Sequence, residues 1–320
     1  MLLYLYYIMT NYTPVVTVTC LRDIPLLDLQ AQGISQYLDT NTPVYIIINE
    51  DDPSKWVTYF NQHLKHHYSK HKIKLLHKNV FDIDWQQWVP SLVNPWAVGW
   101  ETQQVLKLAI SAYFKTPGYL ILDSSNFLIR PWSPDQYDIP QGKIPCRFGT
   151  SGLPHKLWTD YANGLGLPNI LAKHPNTVTI NSFPATPMYL RTDLVSGLIN
   201  TKGGINKFSK WFKHTSQIKS EFVLYAVWLE YHGGIDRLHH YVDDWGNPYL
   251  RDSRTNFAQN FEDYINFIGK HLPLCWSSIN HRSWGDMTTE QYIQITEKLA
   301  EFNLVPHFAD YRKNYVDIVF

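Results

Sequence analysis

Hydrophobic and polar positions along the first two-thirds of the chain follow two rhythms, short continuous apolar runs and longer amphipathic stretches. Val15-Val-Thr-Val-Thr-Cys20 is a β-branched run that predicts a strand, and the positions from Leu26 to Leu38 then follow a helical pattern. Pro43-Val-Tyr-Ile-Ile-Ile48 predicts a second, buried strand ending in the polar cluster Asn49-Glu50-Asp51-Asp52. An amphipathic helix is predicted from about Lys55 to Tyr68, a strand near Ile73 to Leu76 and a helix from Glu101 to Phe114. Tyr119-Leu-Ile-Leu122 is a short apolar strand closed by Asp123. Strand and helix alternating in this way predict an α/β fold, Rossmann-like, with a mostly parallel central sheet flanked by helices.

Beyond Arg130 the texture changes. Pro131, Pro134, Pro140, Pro145 and Pro154 punctuate a stretch that predicts irregular segments laid over a cleft. Two later helices carry their own signals. Ser220 caps one that runs through His232 and stops at Gly233-Gly234. Thr288 and Gln291 form a capping-box pattern ahead of another that reaches about Phe302. The apolar start, Met1 to Met9, falls far short of the roughly 20 residues that span a bilayer. It is expected to be an extra strand, or to precede a true first residue at Met9. No segment is expected to cross a membrane.

Composition narrows the function. The 320 residues hold 28 basic and 28 acidic side chains, so the surplus of positive charge that a nucleic-acid binder needs is missing. Cys20, Cys146 and Cys275 are far apart, fit no zinc spacing and are odd in number, which points to a reducing cytoplasm. The 12 Trp and 21 Tyr mostly serve a core, though exposed rings also make flat platforms for sugars.

Candidate chemistry gathers at strand ends, where open α/β sheets bind ligands. Three such ends carry polar clusters: Arg22-Asp23, Asn49 to Asp52 and Asp123-Ser124-Ser125-Asn126. Any one of them is explained by strand termination and helix capping; three on one sheet edge suggest acceptors for a nucleotide. On the helix at 101–114, Val105, Leu108, Ala109 and Ala112 are spaced to face the sheet. Trp100, Gln104 and Lys107, with Gln103 beside them, fall on another face whose ring, amides and cation suit a sugar diphosphate. His63, His67 and His71 are spaced to share a helix face, but the interleaved Lys65, Lys70 and Lys72 oppose a cation, so a solvated basic face is expected there.

Three segments carry a resemblance to a known family. They are Gly99-Trp100-Glu-Thr-Gln103-Gln104-Val-Leu-Lys107-Leu, Tyr119-Leu-Ile-Leu-Asp123-Ser-Ser125-Asn126-Phe127 and Arg130-Pro131. Together they resemble a group of bacterial and viral glycosyltransferase-like proteins of type A (GT-A) fold. Pro187-Met-Tyr-Leu-Arg191-Thr-Asp193, Ser220-Glu221-Phe-Val-Leu-Tyr225 and His281-Arg282 extend it. The resemblance implies a nucleotide-sugar donor and a hydroxyl acceptor. It also implies a donor half at 13–132 and an acceptor half with the C-terminal helices at 133–320, packed as one continuous domain.

In such proteins an Asp-x-Asp motif holds the donor diphosphate through manganese or magnesium. Asp123 matches its first position, Ser125 replaces the second carboxylate, and His281 is the matching C-terminal histidine. A hydroxyl is a poor ligand for a hard cation, so metal binding is expected to be weakened or absent. Lys107 and Arg130 are then the cations left to neutralise a diphosphate. Asp23, Asn49, Asp51, Trp100, Gln103 and Gln104 complete the expected donor site. Glu221 is the candidate general base, with Asp243 and Asp244 as rivals. Two other readings remain: a degenerate fold of this type that binds a nucleotide sugar or glycan without turnover, and a nucleotidyltransferase. The last would usually show a glycine-rich loop after the first strand, and Thr19 to Asp23 has none.

Overall fold

The computed structural model describes residues 13–88, 97–133, 143–146, 149–150, 155–167, 181–182, 186–216, 219–241, 249–250, 257–270, 276–279 and 287–305. Its strands are β1 (Val15–Thr19), β2 (Val44–Ile48), β3 (Ile73–His77), β4 (Gly118–Asp123), β5 (Asn126–Leu128) and β6 (Ile144–Cys146). They continue as β7 (Gly149–Thr150), β8 (Asn181–Ser182), β9 (Met188–Arg191), β10 (His239–Tyr241), β11 (Tyr249–Leu250) and β12 (Trp276–Ile279). The helices are α1 (Ile24–Tyr37), α2 (Ser54–Tyr59), α3 (Ala97–Ala109), α4 (His155–Leu165) and α5 (Thr192–Asn200). After them come α6 (Ile205–Thr215), α7 (Glu221–Tyr231), α8 (Ile235–Leu238), α9 (Phe257–Lys270) and α10 (Thr289–Ala300).

Five strands form the central sheet in the order β3-β2-β1-β4-β9, the first four parallel and β9 antiparallel to β4. The register sets Thr19 beside Ile48, Ile48 beside His77 and Val18 beside Asp123, so four strand ends share one edge. From β1 the chain winds to β2 and β3 on one side and later crosses to β4 on the other. That reversal marks the ends of β1 and β4 as the place where open sheets of this kind bind ligands.

Alternation along the strands splits the core. Val16, Val18, Ile47, Tyr119 and Ile121 pack with α3, α4, α5, α6 and α7 on one face. Val15, Val44, Ile46, Ile48, Leu120 and Leu122 pack with α1 and α2 on the other. A third cluster joins Leu29 of α1 and Phe127 of β5 to Phe261, Ile279, Ile295 and Leu299. The α1 helix is therefore buried on both sides, and Gln32 and Tyr37 on its outer side donate to the carbonyls of Val305 and Phe302. Among the described residues, no helix is long and apolar enough to cross a membrane.

The α7 helix begins on Ser220, whose hydroxyl accepts from the Val223 N–H, and ends at Gly233 and Gly234, with φ of 106° and 90°. Thr288 and Gln291 form the reciprocal capping box of α10. The expected helix at 55–68 is wound less regularly: α2 passes into a wide π turn at Phe60–Leu64 and a tight 3₁₀ turn at Lys65–Tyr68. Its three histidines do not share a face. His63 is exposed, His67 lies 3.3 Å from the Asp28 carboxylate, and His71 is buried beyond the helix with Nε2 3.3 Å from the Leu38 carbonyl. The α3 helix starts four residues before the expected Glu101 and tightens into a 3₁₀ turn at Ile110–Tyr113. That turn rotates Ala112 outward, so it is exposed instead of facing the sheet. The expectations for Met1 to Met9 lie outside the described residues.

Candidate active site at the sheet switch point

Asp123 closes β4 at this sheet edge, and the chain turns back at once into β5. Asn126 ties this turn: its Oδ1 accepts the Asp123 N–H at 2.7 Å, and its Nδ2 donates to Ser278 Oγ and to the Thr186 carbonyl. From α1, Gln30 Nε2 donates to the carbonyls of Asp123 and Asn126 at 2.9 and 2.8 Å, while its Oε1 accepts from Thr17 Oγ1. With its backbone fixed from two sides, the Asp123 carboxylate is held in place at little further entropic cost on binding.

That carboxylate is 38% exposed and doubly engaged: Oδ1 lies 2.7 Å from Lys107 Nζ, and Oδ2 accepts from Thr186 Oγ1 at 2.7 Å. The ammonium also lies 3.0 Å from Glu221 Oε1 and 5.1 Å from the centre of the Phe222 ring. The Gln104 carboxamide, turned with its nitrogen toward Glu221, donates to both carboxylate oxygens. Side-chain exposure is 3% for Lys107 and 1% for Glu221, so neither meets solvent. Burial alone would push the Lys107 ammonium down, but the charges of Asp123 and Glu221 outweigh it and hold the value above the ordinary 10.5. Burial pushes the Glu221 carboxyl up, against the opposing pull of Lys107. Two anions around one buried cation are stable only as a set, since removing one member leaves a charge uncompensated.

The expected face of α3 is therefore divided. Gln104 and Lys107 turn inward, because this end of α3 lies under α7 and Glu221 waits there as a counterion. Trp100 stays exposed one turn earlier, and Gln103 Nε2 donates to the Val18 carbonyl at the end of β1. Asn49 holds the first turn of α3, donating to the Gly99 carbonyl and Thr102 Oγ1. Asp51 is exposed and paired at 2.5 Å with Lys78.

Asp23 sits where the chain leaves β1. Burial pushes its carboxyl up, Arg22 opposes that, and the negative charge of Asp123 adds to it, so the two acids share one field. The exposed Arg22 guanidinium lies 3.7 Å from Asp23 and brings positive charge to this edge. Burial, with Asp23 nearby, also pushes the Cys20 thiol up.

Arg130 is not at this edge. β5 runs away beside α1, and the Trp132 N–H donates to the Tyr37 carbonyl in the last turn of that helix. Fourteen residues of helix separate the two ends by roughly 20 Å. There the Arg130 guanidinium covers the Phe302 ring at 6.0 Å. Ser125 lies in the Asp123 turn, where its carbonyl accepts from the Ile279 N–H. His281, Asp243 and Asp244 lie outside the described residues.

A divalent cation does not fit the described residues at this point. The place a cation would take beside Asp123 Oδ1 holds the Lys107 ammonium, whose charge repels a second cation there. Among the described residues, no three His, Cys, Asp or Glu side chains are grouped to hold a metal ion.

The sequence profile of the Family of unknown function (DUF6492) matches residues 23–266. This chain belongs to that family. No curated protein matches it at a significant level. Among solved structures, the apo bifunctional glycosyltransferase WbbM is 14% identical over 92% of this chain and 50% of its own, with a TM-score of 0.47. The chain thus spans half of that protein. Apo mouse xyloside xylosyltransferase 1 is 10% identical over 85% of this chain and 98% of its own, at 0.48. The galactosyltransferase LgtC, bound to donor and acceptor sugar analogues, is 9% identical over 92% and 98%, at 0.43. At such scores no residue role passes from them to this chain.

Proposed function

We propose that this protein is a glycosyltransferase of type A fold that moves a sugar from a nucleotide-diphosphate donor to a hydroxyl acceptor. The donor is bound outside the carboxyl ends of β1 and β4. One observation carries the reading: a half-exposed carboxylate, Asp123, is fixed from two sides at the switch point of a parallel sheet, with Asp23 and the Arg22 guanidinium on the same edge. The sequence resemblance through Asp123, Gln103, Gln104 and Lys107 supports it.

In this reading the Asp123 oxygens accept hydrogen bonds from hydroxyls of the donor, using the lone pairs that Lys107 and Thr186 leave open. Arg22 faces the diphosphate, and Trp100 supplies a flat apolar surface for a ring. Residues 13–132 supply this donor half, and residues 133–320 supply the acceptor side. In the transfer step the acceptor oxygen bonds to the anomeric carbon while the bond from that carbon to the diphosphate oxygen breaks. The hydroxyl proton passes to a carboxylate, and the nucleoside diphosphate leaves. Glu221, with only 1% of its side chain exposed, is poorly placed to receive that proton, so this reading gives the base to its sequence rival Asp244, with Asp243 as the alternative.

The test is a panel of nucleotide sugars in thermal-shift and calorimetric titrations, followed by assays for transfer or slow donor hydrolysis. One donor is expected to raise the melting temperature by mass action, and Asp123→Ala is expected to abolish its binding while the protein still folds. Binding of equal strength in wild type and variant would overturn the assignment. The burial of Glu221 favours one second reading, a fold of this type that holds a nucleotide sugar without turnover; donor binding with neither transfer nor hydrolysis would select it.

A further inference from the structure

We infer that the Lys107 ammonium stands where a divalent cation would sit beside Asp123, that the site takes up neither manganese nor magnesium, and that removing this one side chain creates a cation site. Asp123 Oδ1 and Glu221 Oε1 converge on Lys107 Nζ at 2.7 and 3.0 Å, from the end of β4 and the first turn of α7. Two carboxylate oxygens from separate elements, aimed at one point, are the kind of donor set a hard cation prefers. Here that point is filled by a group that belongs to the chain.

The neighbours are arranged for the lysine. Gln104 donates to the Glu221 carboxylate, and Thr186 donates to the far oxygen of Asp123, so each acid keeps one oxygen aimed at the ammonium. Phe222 covers the ammonium with the face of its ring. A metal ion has no room beside Oδ1 while Nζ is there. Loss of a carboxylate at Ser125 then weakens nothing, because the positive charge at this point is built into α3 and needs no second ligand on that turn.

Deleting the lysine side chain leaves two buried or half-buried carboxylates facing a gap with no counterion, which drives either protonation or cation uptake. The inference rests on the transferase reading only for what a cation would have done, the neutralisation of a diphosphate. The test contains no sugar nucleotide, so it and the donor panel fail separately.

Manganese binding is followed by electron paramagnetic resonance of the free ion, in wild type, Lys107→Ser and the double variant Lys107→Ser/Glu221→Gln. Wild type is expected to leave the free signal unchanged up to about 1 mM, the weak end of protein sites for hard cations. Lys107→Ser is expected to bind one ion at least about tenfold more tightly than that, an affinity set by ligand charge, and the double variant to lose it. Magnesium should compete for the same site. Saturable binding to wild type that Asp123→Asn removes would overturn the inference, as would a folded Lys107→Ser that gains no manganese. Where Lys107→Ser folds only with manganese present, that rescue supports the inference; failure to fold with and without the ion overturns the created site, and the wild-type titration then decides only whether the native site excludes metal.

Discussion

At the scale of single residues, Asp123 stood out because its cluster is one of three polar strand ends, and the register does set it beside the end of β1. Lys107 was expected on a face open to a diphosphate and is instead buried, since helical spacing assigns a cation to solvent unless an internal counterion is known. That counterion, Glu221, lies on a different helix, and no local pattern links the two. Thr186 and Gln30 were missed for the same reason: each matters through a contact with a segment far away in the chain. The pairing has a measurable signature. A lysine whose folded value lies above 10.5 contributes stability that is complete below the unfolded value and is lost as pH rises through the folded one. Glu221→Gln removes one of the two charges that hold Lys107 up, so its alkaline loss should be smaller and end at lower pH than in wild type. Urea unfolding from about pH 10 upward, across and above the unfolded lysine value, reads this directly. Superimposable alkaline limbs would show that Glu221 does not hold the ammonium.

At the scale of elements, strands were read well. The continuous apolar runs at 15–19, 44–48, 73–77 and 118–123 have no helical alternative of the right length, and turn residues bound them. Helices were placed well but their partners were not. The apolar stripe of α1 predicts one buried face, yet the helix is sandwiched between the sheet and the C-terminal elements, with its amides taken by carbonyls at 303 and 305. Gly33 records how close that second approach is. A Cβ built there would meet the Leu128 carbonyl oxygen at 2.6 Å and its nitrogen at 2.8 Å, both rigid backbone atoms of the strand that follows the Asp123 turn. Gly33→Ala, favourable by helix propensity alone, is therefore expected to cost about 1–3 kcal/mol, as overpacking does. It should also shift β5, and with it Asn126, so donor affinity is expected to fall together with stability. Chemical denaturation beside a donor titration checks both, and a stabilised variant would mean that α1 and β5 are not in this contact.

At the scale of the whole molecule, the family match ends at residue 266, whereas the fold does not. β12 pairs with β5, and α10 closes the third core cluster. Ile279, Met287, Ile295, Leu299 and Leu304 cover Leu29, Phe127 and Phe261 from the outside. Ser278 accepts the Asn126 amide, so the far end of the chain helps to hold the turn that carries Asp123. Sequence periodicity marked α10 as a helix but could not show that it completes a core begun in the first 30 residues, because nothing local encodes that pairing. Ending the chain after Lys270 removes these five buried apolar side chains. At about 1.5–3 kcal/mol each, the loss is on the order of 10 kcal/mol. Net stability of a domain is about 5–15 kcal/mol, so the shortened protein has little or none left. It is expected to give no cooperative thermal transition and to bind an apolar-surface dye such as ANS. The site should be lost with the core, and no nucleotide sugar that stabilises the full chain should stabilise the fragment. A fragment with a sharp transition near that of the full chain would instead mean that the segment matched by the family profile folds by itself, and that the C-terminal elements only dock onto it.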